Sequence, residues 1–573
     1  MSTSPTASIS KVTFSGGDTF KFKPNEKIIL VGPNNSGKSQ TLREIVQTAV
    51  QKRGLRGTVL KTLEVEKTGT TQDLKAFLEE NAEITNGNYH YKGWNLPVGH
   101  ERLWSEPYLQ HGLSAGYIKN IDANDRLKIC EQQPSIGPNQ HKSKPQHVLY
   151  DDAGLMEKIS GLFKQAFGKD IMFDFRGGSV LPIYVGEKPD PSLVDRVSDE
   201  YVKEVRKNPL LSEQGDGMKS YAGILFEAIV ADLAITLLDE PEAFLHPPQM
   251  RRLGFTLAAE VSGQLIVATH SSDIMRGFLE GTKGDVRILR IRRDGEINRV
   301  AEAPGDVIKE LWTRPELRYS NALEGVFHEQ TIICEDDSDC RLFNAVADNL
   351  AAADPVQWLD TAYVPTGGKH GIPKVAKVLR RIGVPIKAIF DLDFLSECQL
   401  VKETVEAFGG DWETFEPFWS RLDAAVRKGV KPKSSFEIKE EITSIILESA
   451  SDELPRSKIK EALKQGAAWN RVKELGSVAI PKGDAQRNFS ALRDRLEAIG
   501  IYIVHVGEIE NFCLDLGNHG PKFVNRLLTE VPLEDLRLSD LREFVTRVHK
   551  GPASPLETNL RETETPADHP PSP

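Results

Sequence analysis

Residues 28–39 read IILVGPNNSGKS, an apolar run that breaks into a turn of small residues and ends on Gly37, Lys38 and Ser39. With Gly32 the spacing is G-x-x-x-x-G-K-[ST], and the flanks agree with it. Lys27 to Val31 reads as a strand, and Leu42, Ile45, Val46, Ala49 and Val50 fall on one face of a following helix. Strand, turn and helix in register commit this part of the chain to an α/β layer. They also aim successive backbone N–H groups and the positive end of the helix at one point, which is a cradle for a polyphosphate. Gly32, Pro33, Asn34, Asn35, Ser36, Gly37, Lys38, Ser39 and Gln40 are therefore the expected nucleotide-binding residues. Lys38 would reach the β and γ phosphates, and the Ser39 hydroxyl would ligate Mg²⁺.

At 573 residues the chain exceeds what one hydrophobic core usually organises, so two or three domains are expected. The longest apolar runs are strand-sized, which predicts no membrane span. The first residues, MSTSPTASIS, lack the basic and apolar regions of a secretory signal. Cys130, Cys334, Cys340, Cys398 and Cys513 form no C-x-x-C pair, so a reduced cytoplasmic setting without structural zinc is expected. A net charge of −11 argues against a surface coated for nucleic acid, yet it leaves room for a local basic groove.

After the first helix comes a long interval, 51–194, with helical pieces at 71–81 and 152–167 and strand-like runs at 171–178 and 180–186. It is too long for a loop and reads in part as an inserted subdomain. Gln214 to Ser220, QGDGMKS, then opens a helix expected to run through YAGILFEAIVADLAI. Gly215, Asp216 and Gly217 would offer backbone N–H groups and a helix N-terminus to an anion. Next, the apolar strand in AITLLDEPE ends on two carboxylates. Asp239 would hold Mg²⁺ and Glu240 would act as general base towards the attacking water. A further strand, QLIVATH, ends at His270, placed one strand on as a γ-phosphate sensor, and the hairpin turning on Asp294–Gly295 closes the unit.

These residues resemble the ATP-binding-cassette ATPases of the recombination and chromosome-maintenance type. The resemblance makes residues 32–39 a Walker A loop, 214–220 a signature loop with Gln214 where serine is common, 237–240 Walker B, 242–247 a D-loop and His270 an H-loop. In that family the signature of one head completes the ATP site of another. One copy of each motif here therefore implies a homodimer or a higher even oligomer.

From about residue 321 the pattern restarts. Strands at 330–334, 361–368 and 386–393 alternate with helices, which predicts βαβ crossovers and a parallel sheet. Function gathers at the C-terminal ends of such strands, and there the sequence places Glu335 and Asp339, then Asp391 and Asp393. Crowded carboxylates persist mainly where cations neutralise them, and an all-oxygen set suits Mg²⁺ or Mn²⁺ and phosphodiester chemistry. The arrangement resembles the Toprim domain of topoisomerases, primases and nucleases, with Asp336 where that family has glycine.

An ABC-type head followed by Toprim is the order of the OLD (overcoming lysogenisation defect) family of ATP-dependent nucleases. The run GIYIVHVGEIENF at 500–512, read as a strand, resembles that family's terminal Gly-Glu-x-Glu segment and adds Glu508 and Glu510 as catalytic candidates. The expected organisation is an ATPase head at 1–320, a Toprim domain at 321–550 with a helical insertion at about 400–490, and a disordered tail at 551–573. Basic clusters in the insertion (Arg427, Lys428, Lys431, Lys433, then Arg456, Lys458, Lys460, Lys464, Arg471) read equally well as a nucleic-acid wall or a solvated face. Lys482 or Arg487 is the candidate for neutralising transition-state charge.

The expected function is an ATP-dependent or ATP-regulated, divalent-metal-dependent endonuclease, acting on DNA in the first instance. Glu335 would be its base and Asp339, Asp391 and Asp393 its metal ligands. Family analogy implies anti-phage defence, compatible with a partner subunit or a guide nucleic acid. The alternative is an ATP-driven DNA clamp or sensor with a catalytically silent Toprim domain.

Overall fold

The structure is a computed structural model that describes residues 4–50, 57–110, 112–137, 140–190, 192–193, 195–314, 317, 321–428, 434–448, 454–456, 458–459 and 468–556. The chain divides into two units, Met1–Tyr319 and Ser320–Pro573.

In the first unit the strands are β1 (Thr6–Phe14), β2 (Thr19–Lys21), β3 (Lys27–Val31), β4 (Leu60–Thr68), β5 (Glu83–Thr85), β6 (Asn88–Tyr91), β7 (Trp94–Pro97) and β8 (Ile118–Ile121). They continue as β9 (Gln133–Pro134), β10 (Asp170–Phe173), β11 (Val180–Leu181), β12 (Ile183–Gly186), β13 (Ile235–Asp239), β14 (Gln264–Ala268), β15 (Arg287–Asp294) and β16 (Ile297–Glu302). Six of them form a sheet in the order β16-β15-β3-β14-β13-β8, parallel except for the β15–β16 hairpin. β3 lies inside this sheet, and Ile28 to Val31 are all buried, as expected of a strand covered on both faces. Antiparallel β2-β1-β4 shares its core, Val12 and Phe14 packing in one cluster with Leu30, Ile266 and Leu289.

The interval 51–194 is not a separate insertion along its whole length. β4 pairs with β1 and β8 pairs with β13, so two of its strands belong to the sheets of the head itself. Neither stood out in the sequence because β4 is charged on its exposed face and β8 has only four residues. The helix after the signature loop is also shorter than expected. It runs Asp216–Ile224, continues as a π-helix over Leu225–Val230, and ends before Ile235 enters β13.

The second unit holds β17 (Gln330–Cys334), β18 (Thr361–Pro365), β19 (Ile386–Phe390) and β20 (Ile501–Ile503), all parallel, in the order β18-β17-β19-β20. The chain leaves β17 towards one side for β18 and returns to the other side for β19. The topological switch point, and with it the crevice where such sheets bind ligands, lies between the ends of β17 and β19. Helices fill the insertion at Cys398–Ala407, Glu416–Lys428, Ser435–Leu447, Ala468–Leu475 and Asp484–Ala498.

The expected strand over 500–512 is cut to three residues. Gly507 has φ +110°, and a Cβ there would lie 1.9 Å from the Lys473 carbonyl oxygen, so the backbone turns against the helix Ala468–Leu475 and continues as a 3-10 helix, Ile509–Phe512. The start of the expected disordered tail is ordered. Ser554 N–H donates to Ile386 O at 2.9 Å, and Arg380 Nε donates to Pro555 O at 2.8 Å. Residues 557–573 lie outside the described residues, as do Lys431, Lys433, Lys460 and Lys464 of the basic clusters.

Candidate functional site

Because β3, β13, β14 and β8 are parallel, their C-terminal ends open on one edge, which brings Gly32, Asp239, Glu240 and His270 to one place. Lys38 is 4% exposed and donates to the carbonyls of Gly32 and Pro33, each at 2.8 Å, so its ammonium is folded back into the loop. Burial lowers its pKa to about 8, against the opposing fields of Glu240 and Glu242. Ser39 Oγ donates to Asp239 Oδ1 at 2.8 Å, which puts the two expected Mg²⁺ ligands side by side. Burial also raises Asp239, with the Glu240 charge adding to it. Asn34 and Asn35 are exposed, and Gln40 Nε2 donates to Glu44 Oε1 at 3.0 Å.

Glu240 stands at φ +44°, in the left-handed region, and its N–H donates to Ala268 O at 2.9 Å. His270 Nε2 is 3.9 Å from Glu240 Oε1. Half-buried Glu242 accepts from His270 N–H at 2.6 Å and from the Thr269 hydroxyl at 2.8 Å, fixing the strand end that carries the histidine. In the signature loop Gly215 precedes the helix, Asp216 pairs with Lys219 at 2.9 Å, and Gly217 abuts the Phe244 carbonyl. Arg126, which has no sequence motif around it, is fully buried, and its guanidinium donates to the carbonyls of Asp239 at 3.0 Å and Glu240 at 2.8 Å.

In the second unit Glu335, Asp391 and Asp393 converge, with one oxygen of each within 4.8 Å of the others. Asp391 N–H donates to Glu335 Oε1 at 3.2 Å, which ties the end of β19 to that of β17. Burial raises Glu335 to about 7, with Asp393 and Asp339 adding their repulsion. Burial and the Glu335 charge push Asp391 well up. Asp339 stands outside this trio. Its Oδ2 accepts from Asp336 N–H at 3.0 Å at the start of the helix Asp337–Ala353, and burial lifts it to about 6, with Asp336 and Glu510 adding. Asp336 is exposed at that helix start.

Glu508 and Glu510 form a second group with His519, which lies 3.6 and 3.4 Å from their Oε1 atoms. Between the two groups sits Lys473. Its ammonium is 3.3 Å from Asp391, 3.6 Å from Asp393 and 3.9 Å from Glu508. Burial alone would lower this lysine, but the three carboxylates outweigh it and hold it above its ordinary value. Lys369 flanks the other side, 3.2 Å from Asp393 and 2.8 Å from Glu397. Lys473 and Lys369 thus set two positive charges against these carboxylates. Arg487 instead pairs with Asp484 on an exposed helix face. A cavity of about 710 Å³ opens beside the groups, lined by Asp393, Lys473, Glu508, Glu510 and His519 among others.

The donors of the trio are all oxygen. Among the described residues Asp393 Oδ1 is buried without a hydrogen-bond partner, and two of the carboxyls are raised by burial, with their mutual repulsion adding to it. Such a set fits a hard divalent cation.

Comparison with known proteins agrees with this division. Residues 138–276 match the family model "AAA domain, putative AbiEii toxin, Type IV TA system", and residues 326–393 match "Overcoming lysogenization defect protein-like, TOPRIM domain". The "Old nuclease" of Escherichia phage P2 is 22% identical over 176 residues, 29% of this chain and 29% of that protein, so the match spans about three tenths of the relative. Among solved structures, an Smc head bound to the C-winged helix domain of ScpA aligns with TM-score 0.32 at 12% identity, over 51% of this chain and 97% of that one. The SMC head domain from Thermotoga maritima aligns at 0.28 and 14%, over 52% and 99%. The chain carries the architecture of the overcoming-lysogenization-defect (OLD) family, an ATPase head followed by a Toprim domain.

Proposed function

We propose that this chain is an ATP-dependent or ATP-regulated, divalent-metal-dependent endonuclease that cleaves nucleic-acid phosphodiesters, DNA in the first instance. The observation that carries the reading is the convergence of Glu335, Asp391 and Asp393 at the switch point of a parallel sheet, with Lys473 against them. A Mg²⁺ or Mn²⁺ ion held there supplies an activated water and charge stabilisation for phosphodiester hydrolysis. The chain's own residues do the rest. Glu335, at the end of β17 and tied to the end of β19 by the Asp391 N–H, is the carboxylate placed to take a proton. Lys473 and Lys369 offset the negative charge that a backbone phosphate brings into an acidic site.

In the head, Lys38 and the loop 32–40 bind the triphosphate, Ser39 and Asp239 hold Mg²⁺, Glu240 activates water, and His270 reads the γ-phosphate. The segment 215–217 completes the site of a second copy, since each motif occurs once, which supports a homodimer or a higher even oligomer. Among the described residues no helix is long and apolar enough to cross a membrane, which is compatible with a cytoplasmic role in defence against foreign DNA. A partner subunit or a guide nucleic acid fits that role.

The test is cleavage of supercoiled plasmid, linear duplex, single-stranded DNA and RNA by the full-length protein, with and without ATP, Mg²⁺ and Mn²⁺. Divalent-dependent cleavage that vanishes in Asp391→Ala, with substrate binding kept, supports the reading. Binding without cleavage under every condition would leave an ATP-driven clamp.

A further inference from the structure

Arg126 is placed where it touches two parts of the ATP machinery at once. Its guanidinium donates to the carbonyls of both Asp239 and Glu240, the peptide pair that sets the direction of the Glu240 side chain. Glu240 is held from the other side by Ala268 O, so its left-handed φ of +44° is fixed between β14 and a buried arginine. The carboxylates of Glu242, Asp239, Asp122 and Glu240 surround that guanidinium.

The backbone of the same segment lies against the signature helix. The short helix Ala123–Lys128 packs on Asp216–Ile224 so closely that a Cβ on Gly223 would come within 2.0 Å of the Arg126 carbonyl oxygen. Two further ties flank this contact. Cys130 Sγ donates to Lys219 O at 3.1 Å, and Lys119 of β8 pairs with Glu227 of the π-helix at 2.7 Å. The segment from β8 to Cys130 is thus attached to the signature helix at two points, to its π-helical continuation at a third, and to the Walker B turn through one side chain.

We infer that Arg126 is a positioning residue that couples the signature helix to Glu240 of the same chain. The inference rests on the ATPase reading of the head and adds a direction to it. When a second copy's nucleotide engages 215–217, any shift of the helix Asp216–Ile224 is passed through the Ala123–Lys128 wedge to the peptide carrying the general base. Packed interiors do not absorb such shifts, because backbone in contact with backbone has nowhere to give. Turnover in one site is then gated by occupancy of the signature that the same chain lends to the other.

Full-length Arg126→Lys keeps the charge but loses the two-carbonyl grip. Its kcat for ATP is expected to fall about 30-fold, because small misplacements of a reacting group cost up to about 100-fold. Binding of a non-hydrolysable ATP analogue should stay within about 3-fold of wild type, because Lys38 and its loop are untouched. Combined with Glu240→Gln, Arg126→Lys should lower the residual rate no further, since both act through one group. Gly223→Ala should repeat the kcat loss with analogue binding kept.

Unchanged kcat in Arg126→Lys, an equal loss of analogue affinity, or full additivity with Glu240→Gln would each overturn the inference. Should those variants not fold by thermal melt, Cys130→Ala, which loosens the tie while leaving the guanidinium in place, decides by the same readings. A wild-type chain that binds no ATP analogue overturns the nucleotide reading and this inference together. A wild-type chain that turns over while Arg126→Lys matches it overturns the inference alone.

Discussion

The ammonium of Lys473 lies 3.3 Å from Asp391 Oδ2 and reaches Glu508 at 3.9 Å, so one lysine bridges the two acidic groups of the second unit. It competes with any cation for the same oxygens. Lys473→Met is therefore expected to bind Mn²⁺ more tightly, read by electron paramagnetic resonance of free Mn²⁺. Cleavage in the same variant should fall about 100-fold or more, because the charge proposed to offset the substrate phosphate is gone. Weaker Mn²⁺ binding in Lys473→Met would contradict this account.

Asp391→Asn removes a ligand charge from a crevice that Glu335 also lines. Cleavage should fall below detection while the ATP hydrolysis rate stays within about 3-fold, since the proposed phosphodiester and nucleotide sites use different carboxylates. A matched loss of both activities would mean that the two sites are not separate.

The acidic groups also predict a pH dependence. Glu335 stands at about 7 instead of 4.5, and Asp339 at about 6 instead of 3.8, both through burial first. The folded protein binds extra protons, so the stability these groups lend is full below 3.8 to 4.5 and is lost as pH rises through about 6 to 7. The cation-free protein should lose thermal stability over that window. Added Mn²⁺ displaces the same protons, so its increase in Tm should be larger at about pH 7.5 than at about pH 5.5. An increase that is equal or larger at the lower pH would refute this.

In the head, Glu240→Gln should cut ATP hydrolysis about 100- to 1,000-fold and leave nucleotide binding intact, because the amide keeps the shape but cannot accept the proton. Lys38→Ala should do the reverse and lose binding, since Lys38 is the buried cation of the loop. Fluorescent-nucleotide titration beside a phosphate-release assay separates the two outcomes.

Residues whose placement is tied to local spacing were legible in the sequence. Gly32 to Ser39 stands on its strand and helix as expected, whereas the strand expected over 386–393 ends at Phe390, with Asp391 just past it and Asp393 in the 3-10 helix Leu392–Ser396. What could not be read is what arrives from far along the chain. Lys473 reaches Asp391 across 82 positions and Arg126 reaches Asp239 across 113, and neither has a neighbour that marks it among 72 lysines and arginines. The bend at Gly507 was hidden for a related reason. Apolar residues on both sides suggested one strand, and only the close approach of the Lys473 carbonyl shows why the chain turns there. β4 and β8 were missed because sheet pairing depends on partners beyond any local window.

Glu240 sits in a backbone posture that suits glycine or asparagine better than a glutamate, a mismatch of about 1–2 kcal/mol. The chain therefore carries the carboxylate proposed as its general base at the expense of its own durability. In a population selected for heat tolerance with no demand for turnover, position 240 is where glycine would enter early, yielding a sturdier and inert head.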